Sequence, residues 1–477
     1  MYLSNRSIQL MALGLLVFLY LELFTQLYFM SGLGMALFAG VATKFIQDLG
    51  KRIEIRDLIA FMSVMQWVVG PIMAYNFLPY DELYYMAVPE SVYMNFVVPV
   101  CYFMVLGLYL PLKDERIINQ EDIDTMKVYL AEHPWHGYIL AGIGLVAGFT
   151  SKSLPSSLTF LMFLLTNLQY VGIYMILFSG SKFKWFAFTG IMGLATSAAI
   201  LQGMFGELIQ WFMLSFLIIA MVVKIPMWGK VAIISVGIFL IMLVQSTKEE
   251  YRMATWYAES TKSNSQIYKE LLLLKLSSPS LLFNAGPLEN GAARLNQGWI
   301  IARIMNYMPE KQPFVRGETI QTALYASLLP RFLAPSKVKA GGRANFERFT
   351  GTPLPETTSM DISLVGEGYA NFGSLGGMVF IFLISLLYNW VIVKVVALSK
   401  NNPTLIIWIP FLFFQVMKAE TDFATVFNYL TKAALVTFLV FYFSKVILEI
   451  KQNKKKYHVY QSETLSGNQD FPGHARP

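Results

Sequence analysis

The sequence predicts an all-α polytopic membrane protein with about twelve transmembrane helices and one large extracytoplasmic loop. Three observations carry the prediction. Of the 477 residues, 55% are hydrophobic and only 14% charged, and the mean hydropathy is +0.50, which is more apolar surface than a soluble chain of this length can bury. The apolar residues fall into separate runs close to the roughly 20 residues that cross a bilayer as a helix, not into the short alternating segments of a β-barrel. The basic residues collect in alternate short connections, the arrangement that fixes orientation in a membrane.

Taken in order, the spans are expected at 7–23, 27–44, 57–78, 92–111, 136–150, 155–179, 185–201, 207–223, 229–246, 373–397, 403–418 and 424–446. The first run starts just after Arg6 and lacks a small-residue cleavage site, so it reads as a retained helix and not a removable signal. Glu22, Thr25 and Gln26 interrupt it, leaving open one long helix or two joined by a polar turn.

Connections holding Lys44, Lys51, Arg52 and Arg56, then Lys182 and Lys184, Lys224 and Lys230, Lys394 and Lys400, are basic and expected inside. Those with Asp81, Glu82 and Glu90, and with Glu207, are poor in Lys and Arg and expected outside, so both termini are cytoplasmic. Four regions follow: spans one to nine over 1–246, an extracytoplasmic loop over 247–372, spans ten to twelve over 373–446, and a tail over 447–477. Within the loop, helices are expected at 265–276, 288–307 and 319–329, with irregular chain from 330 to 356.

Composition also excludes chemistry. The single cysteine, Cys101, permits neither an internal disulfide nor a cysteine metal cage. The net charge of +7 resides in connections and in the tail lysines 451, 454, 455 and 456, which suits anionic lipid better than nucleic acid. No phosphate-binding P-loop or dinucleotide fingerprint occurs, and Asp122-Ile-Asp124 lies in a connection too short for a nucleotide domain. His133, His136, His458 and His474 all fall on cytoplasmic segments, so the outer loop has no histidine for a base or a metal. Glu132, His133 and His136 read as a solvated segment before a metal site. Asn167, Gln169 and Asn389 either line a substrate cavity or bond between helices, and Gly144 and Gly148 are spaced for close helix approach.

Two features of the loop carry function. Arg294, Arg303, Arg316, Arg331, Arg343 and Arg348, with Lys337 and Lys339, supply guanidinium forks and ammonium charges suited to phosphate oxygens. An anionic ligand at the outer face is one reading, and pairing with the loop's own Glu289, Glu310, Glu318 and Glu347 the other. Further on, the glycine-rich stretch 364–377 sets Glu367, Tyr369 and Asn371 where backbone can approach a ligand closely, or else anchors a span with interfacial aromatics.

Together the Arg-Leu-Asn-Gln at 294–297, Gly-Glu-Thr at 317–319, Pro-Arg followed by Pro and Lys at 330–337, and Gly-Glu-Gly-Tyr-Ala-Asn-Phe-Gly at 366–373 resemble bacterial oligosaccharide repeat-unit polymerases of the O-antigen polymerase (Wzy) type. The resemblance implies a multi-span lipid-linked glycosyltransferase of the bacterial inner membrane. It implies that repeat units carried on undecaprenyl diphosphate are joined at the periplasmic face into O-antigen, capsule or exopolysaccharide. Arg294 and Arg331 would hold the diphosphate, with Arg303 and Lys337 supporting and Tyr369 and Asn371 lining the site. Glu367 would be the base and Glu318 the reserve. No cofactor or metal is implied. The partners are membrane lipid and the lipid-linked saccharide, with a chain-length regulator and a flippase alongside, and no nucleic acid. The rival readings are a lipid-linked saccharide flippase or exporter, which is not an enzyme, and an O-antigen ligase.

Overall fold

The computed structural model describes residues 5–51, 53–77, 84–113, 118, 120–223, 225–257, 262–277, 295–328, 342–356 and 358–466. These form an all-α, multi-pass membrane architecture of 18 α-helices. Seven helical segments are long and apolar enough to cross a bilayer: Phe29–Asp48, Ile55–Asn76, Glu90–Tyr109, Thr159–Phe178, Lys184–Gln202, Ser363–Leu398 and Phe423–Ser444. Shorter apolar helices at Gln9–Phe24, Trp135–Thr150, Gly206–Val222, Met227–Gly237 and Pro403–Leu412 overlap the other expected spans, the last two over only part of the expected length. The initial run is two helices, α1 (Asn5–Phe24) and α2 (Phe29–Asp48), parted at the polar Thr25–Gln26 where the apolar pattern breaks.

Residues 1–430 make one compact unit and 431–477 a second, of which 431–466 continue the last helix. Inside the first, α7 (Trp135–Thr150) and α8 (Thr159–Phe178) pack most extensively. They touch backbone to backbone, because a Cβ on Gly144 would meet Gln169 and one on Gly172 would meet Ala141. Asn389 donates to the carbonyls of Gly107 (3.2 Å) and Leu110 (2.8 Å), so of its two readings the interhelical bond is the one the geometry displays.

The third span, α3 (Ile55–Val64) and α4 (Gly70–Phe77), is joined by a π-helical turn at Met65–Val69 that frees carbonyls from the helical ladder. The freed groups find partners elsewhere in the fold. Gln66 O accepts from Gln297 N–H (3.2 Å), and Trp67 O accepts from the Tyr93 hydroxyl (2.9 Å) of α5 (Glu90–Tyr109). Trp67 Nε1 donates to Ala419 O (3.2 Å). Residues 295–297 of the long connection are thereby pinned against the bundle at the start of α13 (Gly298–Tyr307), where Asn296 Oδ1 accepts from Trp299 N–H (3.1 Å).

Three expectations need correction. The span expected at 403–418 is not a regular helix: a 3₁₀ turn over Pro403–Trp408 leads into Ile409–Leu412 and then into turns. Pro403 and Pro410 lack the N–H a continuous ladder needs, and the segment is tolerated because 404–417 is buried in protein. The region expected to be irregular from 330 to 356 contains helix α15 (Arg343–Thr350), while 330–341 lie outside the described residues. Arg348, expected in irregular chain, is on that helix. The expected helices at 265–276 and 319–329 are α12 (Asn264–Ser277) and α14 (Glu318–Leu328). The one at 288–307 is described from Gly298 onward.

Candidate functional site

The last correction makes the site. The tenth span was expected to begin at Gly373, but α16 covers Ser363–Leu398, and Gly373 inside it has φ 68° and ψ −166°. Only glycine adopts that backbone region at low cost. The chain reverses there. Gly368 lies against Gly377 and Phe380, and the Phe372 and Phe380 rings are 6.0 Å apart. Gly368 and Gly377 would be about 13 Å apart in a straight helix. Leu364 shares a cavity wall with Ile381, Ile384 and Tyr388. Residues 363–372 are therefore a short helix folded back along the start of the span, a helical hairpin with Gly373 at its tip.

The Gly-Glu-Thr segment docks on this returning helix. Val315 N–H donates to Ala370 O (3.1 Å), Arg316 N–H to Asn371 O (2.9 Å), and Gly317 N–H to Asn371 Oδ1 (2.9 Å). Thr319 Oγ1 donates to Glu367 Oε1 (2.6 Å), and Asn371 Nδ2 donates to Thr319 Oγ1 and to Glu367 O, each at 2.8 Å. Glu367 Oε2 accepts from Phe423 N–H (2.7 Å), which ties the hairpin to the start of α18 (Phe423–Ser466). Glu367 and Asn371 are each 1% exposed. Glu367 thus stands behind Thr319, with both oxygens engaged by donors of the chain.

Further acids surround the foot of the hairpin. Asp361 is half-buried and accepts from the N–H groups of Gly342 and Asp422. Burial, and then the nearby carboxylates of Asp422 and Glu420, push the Asp361 carboxyl up to about 7. Asp422 Oδ1 caps α18 by accepting from Thr425 N–H (2.8 Å), and Glu420 O accepts from Ser363 N–H (3.1 Å).

The remaining predicted residues divide. Glu318 is solvent-exposed and forms a bidentate pair with Arg348, Nη1–Oε1 2.8 Å and Nη2–Oε2 2.9 Å, and that guanidinium holds its carboxyl below the usual range. Each of its oxygens accepts from one guanidinium nitrogen. Tyr369 is packed edge-on against Phe96 (5.1 Å) and Phe314 (5.7 Å). Arg303 lies over the rings of Trp299 (5.1 Å) and Tyr85 (5.5 Å) and donates to Thr352 Oγ1 (3.2 Å), away from the hairpin tip. Arg294, Arg331 and Lys337 lie outside the described residues.

Beside the tip, Phe314, Arg316, Asn371, Phe372 and Gly376 line an open hollow of about 440 Å³. Arg316 was one cation of many in the sequence. What could have singled it out is its place directly before Gly-Glu-Thr. Asp361 and Asp422 had no such signal, since 61 residues separate them.

Elsewhere, Asp48, Glu54 and Asp57 form the one group with metal-ligand spacing among the described residues. Lys44 Nζ sits between two of them, 3.3 Å from Asp48 and 2.6 Å from Asp57, so an ammonium already pairs with two of the three acids. Tyr129, His133 and His136 cluster as a triangle of rings, with centroids 4.6, 5.2 and 5.9 Å apart. No family model, curated protein or solved structure matches the chain.

Proposed function

We propose that this protein polymerises undecaprenyl-diphosphate-linked oligosaccharide repeat units at the periplasmic face of the bacterial inner membrane. The reading takes twelve crossings, both termini cytoplasmic and 247–372 outside, as the basic connections imply. One observation carries it beyond the sequence likeness: Gly-Glu-Thr at 317–319 and Gly-Glu-Gly-Tyr-Ala-Asn at 366–371, two of the segments on which the likeness rests, are hydrogen-bonded to each other around Glu367.

In the transfer, a hydroxyl oxygen of the incoming unit attacks the anomeric carbon of the growing chain. The bond from that carbon to the diphosphate oxygen breaks, and undecaprenyl diphosphate leaves with the electron pair. Cations at the loop oppose the charge that develops on the leaving group. Thr319 Oγ1 has two lone pairs, and Asn371 occupies one. The acceptor hydroxyl donates to the other. Its proton passes to Thr319 as the threonine proton passes to Glu367 Oε1, so the enclosed carboxylate acts through the hydroxyl in front of it.

The test is purified protein in liposomes with an undecaprenyl-diphosphate-linked repeat unit. The expected result is a ladder of multiple repeats with release of undecaprenyl diphosphate. Single repeats moved intact between leaflets, with no new glycosidic bond, would replace the reading by the flippase. Transfer only to a separate lipid acceptor would replace it by the ligase.

A further inference from the structure

We infer that the hollow at the hairpin tip seats the phosphate of a membrane-embedded lipid, with Arg316 as the group that holds it and the apolar tail running down the outer face of α16. The inference deepens the polymerase reading, on which the identification of that phosphate as a lipid diphosphate rests.

Arg316 is exposed and lines the hollow, and among the described residues no hydrogen bond or ion pair engages its guanidinium. The nearest acid in sequence, Glu318, is neutralised by both nitrogens of Arg348 and is not its counter-ion. The cation at this wall is therefore uncompensated within the described chain.

The backbone holds it in place. Arg316 has φ 51°, a left-handed conformation that costs a non-glycine residue about 1–3 kcal/mol and persists only where its surroundings enforce it. Here they do so through Arg316 N–H to Asn371 O, and through the neighbouring Gly317 N–H to Asn371 Oδ1. The fixed backbone roots the side chain at the wall of the hollow, where a guanidinium fork can meet phosphate oxygens bidentately beside Phe314 and Phe372.

The tail follows from the helix. Gly376 offers no side chain to close the floor of the hollow. Val379 and Leu383, three and seven residues on, share its face and are 55% and 54% exposed, with Leu375 beside them at 79%. A stripe of exposed apolar side chains thus leads from the hollow along a membrane-crossing helix. A soluble sugar phosphate would use the cation and leave the stripe bare, whereas a lipid phosphate uses both. At about 440 Å³ the hollow is of a size that takes a head group.

The experiment titrates full-length protein in nanodiscs of neutral lipid with farnesyl diphosphate, inorganic pyrophosphate and phosphatidylglycerol, in wild type, Arg316→Gln and Arg316→Lys, with thermal melting to verify folding. Farnesyl diphosphate should bind and weaken on the order of tenfold or more in Arg316→Gln, the weight of a lost hydrogen bond to a charged group. Arg316→Lys should fall between. Pyrophosphate binding as tightly as farnesyl diphosphate would overturn the tail assignment. Phosphatidylglycerol binding with the same Arg316 dependence and equal affinity supports the seat but makes its occupant a bulk lipid. Unchanged farnesyl diphosphate affinity in a folded Arg316→Gln overturns the inference. If that protein still polymerises, the polymerase reading stands alone, and if wild type binds through Arg316 but forms no polymer, the seat stands without it.

Discussion

Two clusters of carboxylates in this molecule are balanced in opposite ways. Around Asp48, Glu54 and Asp57, cations are built in: Lys44 bridges Asp48 and Asp57, the Tyr109 hydroxyl donates to Asp57, and Lys230 reaches the carbonyl of Leu49 (2.5 Å) beside them. Around the hairpin, Glu367, Asp361 and Asp422 are held by N–H and O–H donors, and among the described residues none of them is in an ion pair. The first cluster joins α2, α3, α5 and α11 (Met227–Arg252) as a staple. The second holds negative charge against burial without a cation. Of these, Asp361 has its proton affinity raised, first by burial and then by the neighbouring carboxylates.

The largest expected effect lies in the uncompensated cluster. Glu367→Gln keeps shape and removes the proton acceptor, so polymerisation by folded protein should fall by about 10²- to 10⁴-fold. Thr319→Val should fall comparably because it breaks the relay, and Thr319→Ser should restore most of the rate. If Thr319→Val keeps more than about a third of wild-type activity, the relay is wrong even if Glu367 matters. In the compensated cluster, Asp57→Asn should cost about 1–3 kcal/mol of stability, because Lys44 loses its nearer partner and keeps Asp48. Catalysis per folded molecule should stay near wild type. Equal melting shifts for Glu367→Gln and Asp57→Asn would erase the distinction between the clusters.

The hairpin tip gives an intermediate effect. Gly373→Ala places a Cβ in a glycine-only conformation, against the Phe314 ring at 3.2 Å, and should cost about 1–3 kcal/mol. Because the tip sets the hollow, farnesyl diphosphate binding should weaken with it, measured in the same nanodisc titration. A stable Gly373→Ala with unchanged binding would mean that the reversal does not shape the hollow.

Most of the helix plan was legible because lipid exposure demands long apolar runs, and such runs survive in one sequence. The hairpin was not, because the stretch 364–377 offers glycines at 366, 368, 373, 376 and 377, and nothing local says which one turns the chain. The break after Pro403 was half legible: Pro403 and Pro410 were visible, but their consequence depended on burial that only packing supplies. Glu367 and Asn371 were named together on the glycine-rich approach, but that four residues place them on one helical face emerged only with the helix beginning at Ser363. Thr319 was visible within Gly-Glu-Thr, but its contact with both, 48 residues from Glu367 in the chain, was not. The choice of Arg348 as partner for Glu318, rather than the nearer Arg316, is likewise long-range.

That choice supplies the smallest prediction. The Glu318–Arg348 pair is exposed, with the two side chains 56% and 37% accessible, so water screens it and its worth is under about 1 kcal/mol despite the bidentate geometry. Arg348→Lys should therefore be tolerated, for an energetic reason and not because the chain there is irregular. The sign with pH follows from the depressed carboxyl of Glu318. A group lowered in the folded state contributes above its unfolded value, about 4.3, and loses that contribution as pH falls through the folded one. Glu318→Gln should thus lower stability slightly at neutral pH, less in high salt, and progressively less as pH falls below the unfolded value. A second consequence concerns the hollow: Arg348→Gln frees the Glu318 carboxylate two residues from Arg316, where it can compete with a phosphate. Farnesyl diphosphate should bind more weakly to Arg348→Gln than to the double variant Glu318→Gln/Arg348→Gln. Equal binding in the two would show that Glu318 does not reach the Arg316 charge, and that pairing with Arg348 is not what keeps this cation available.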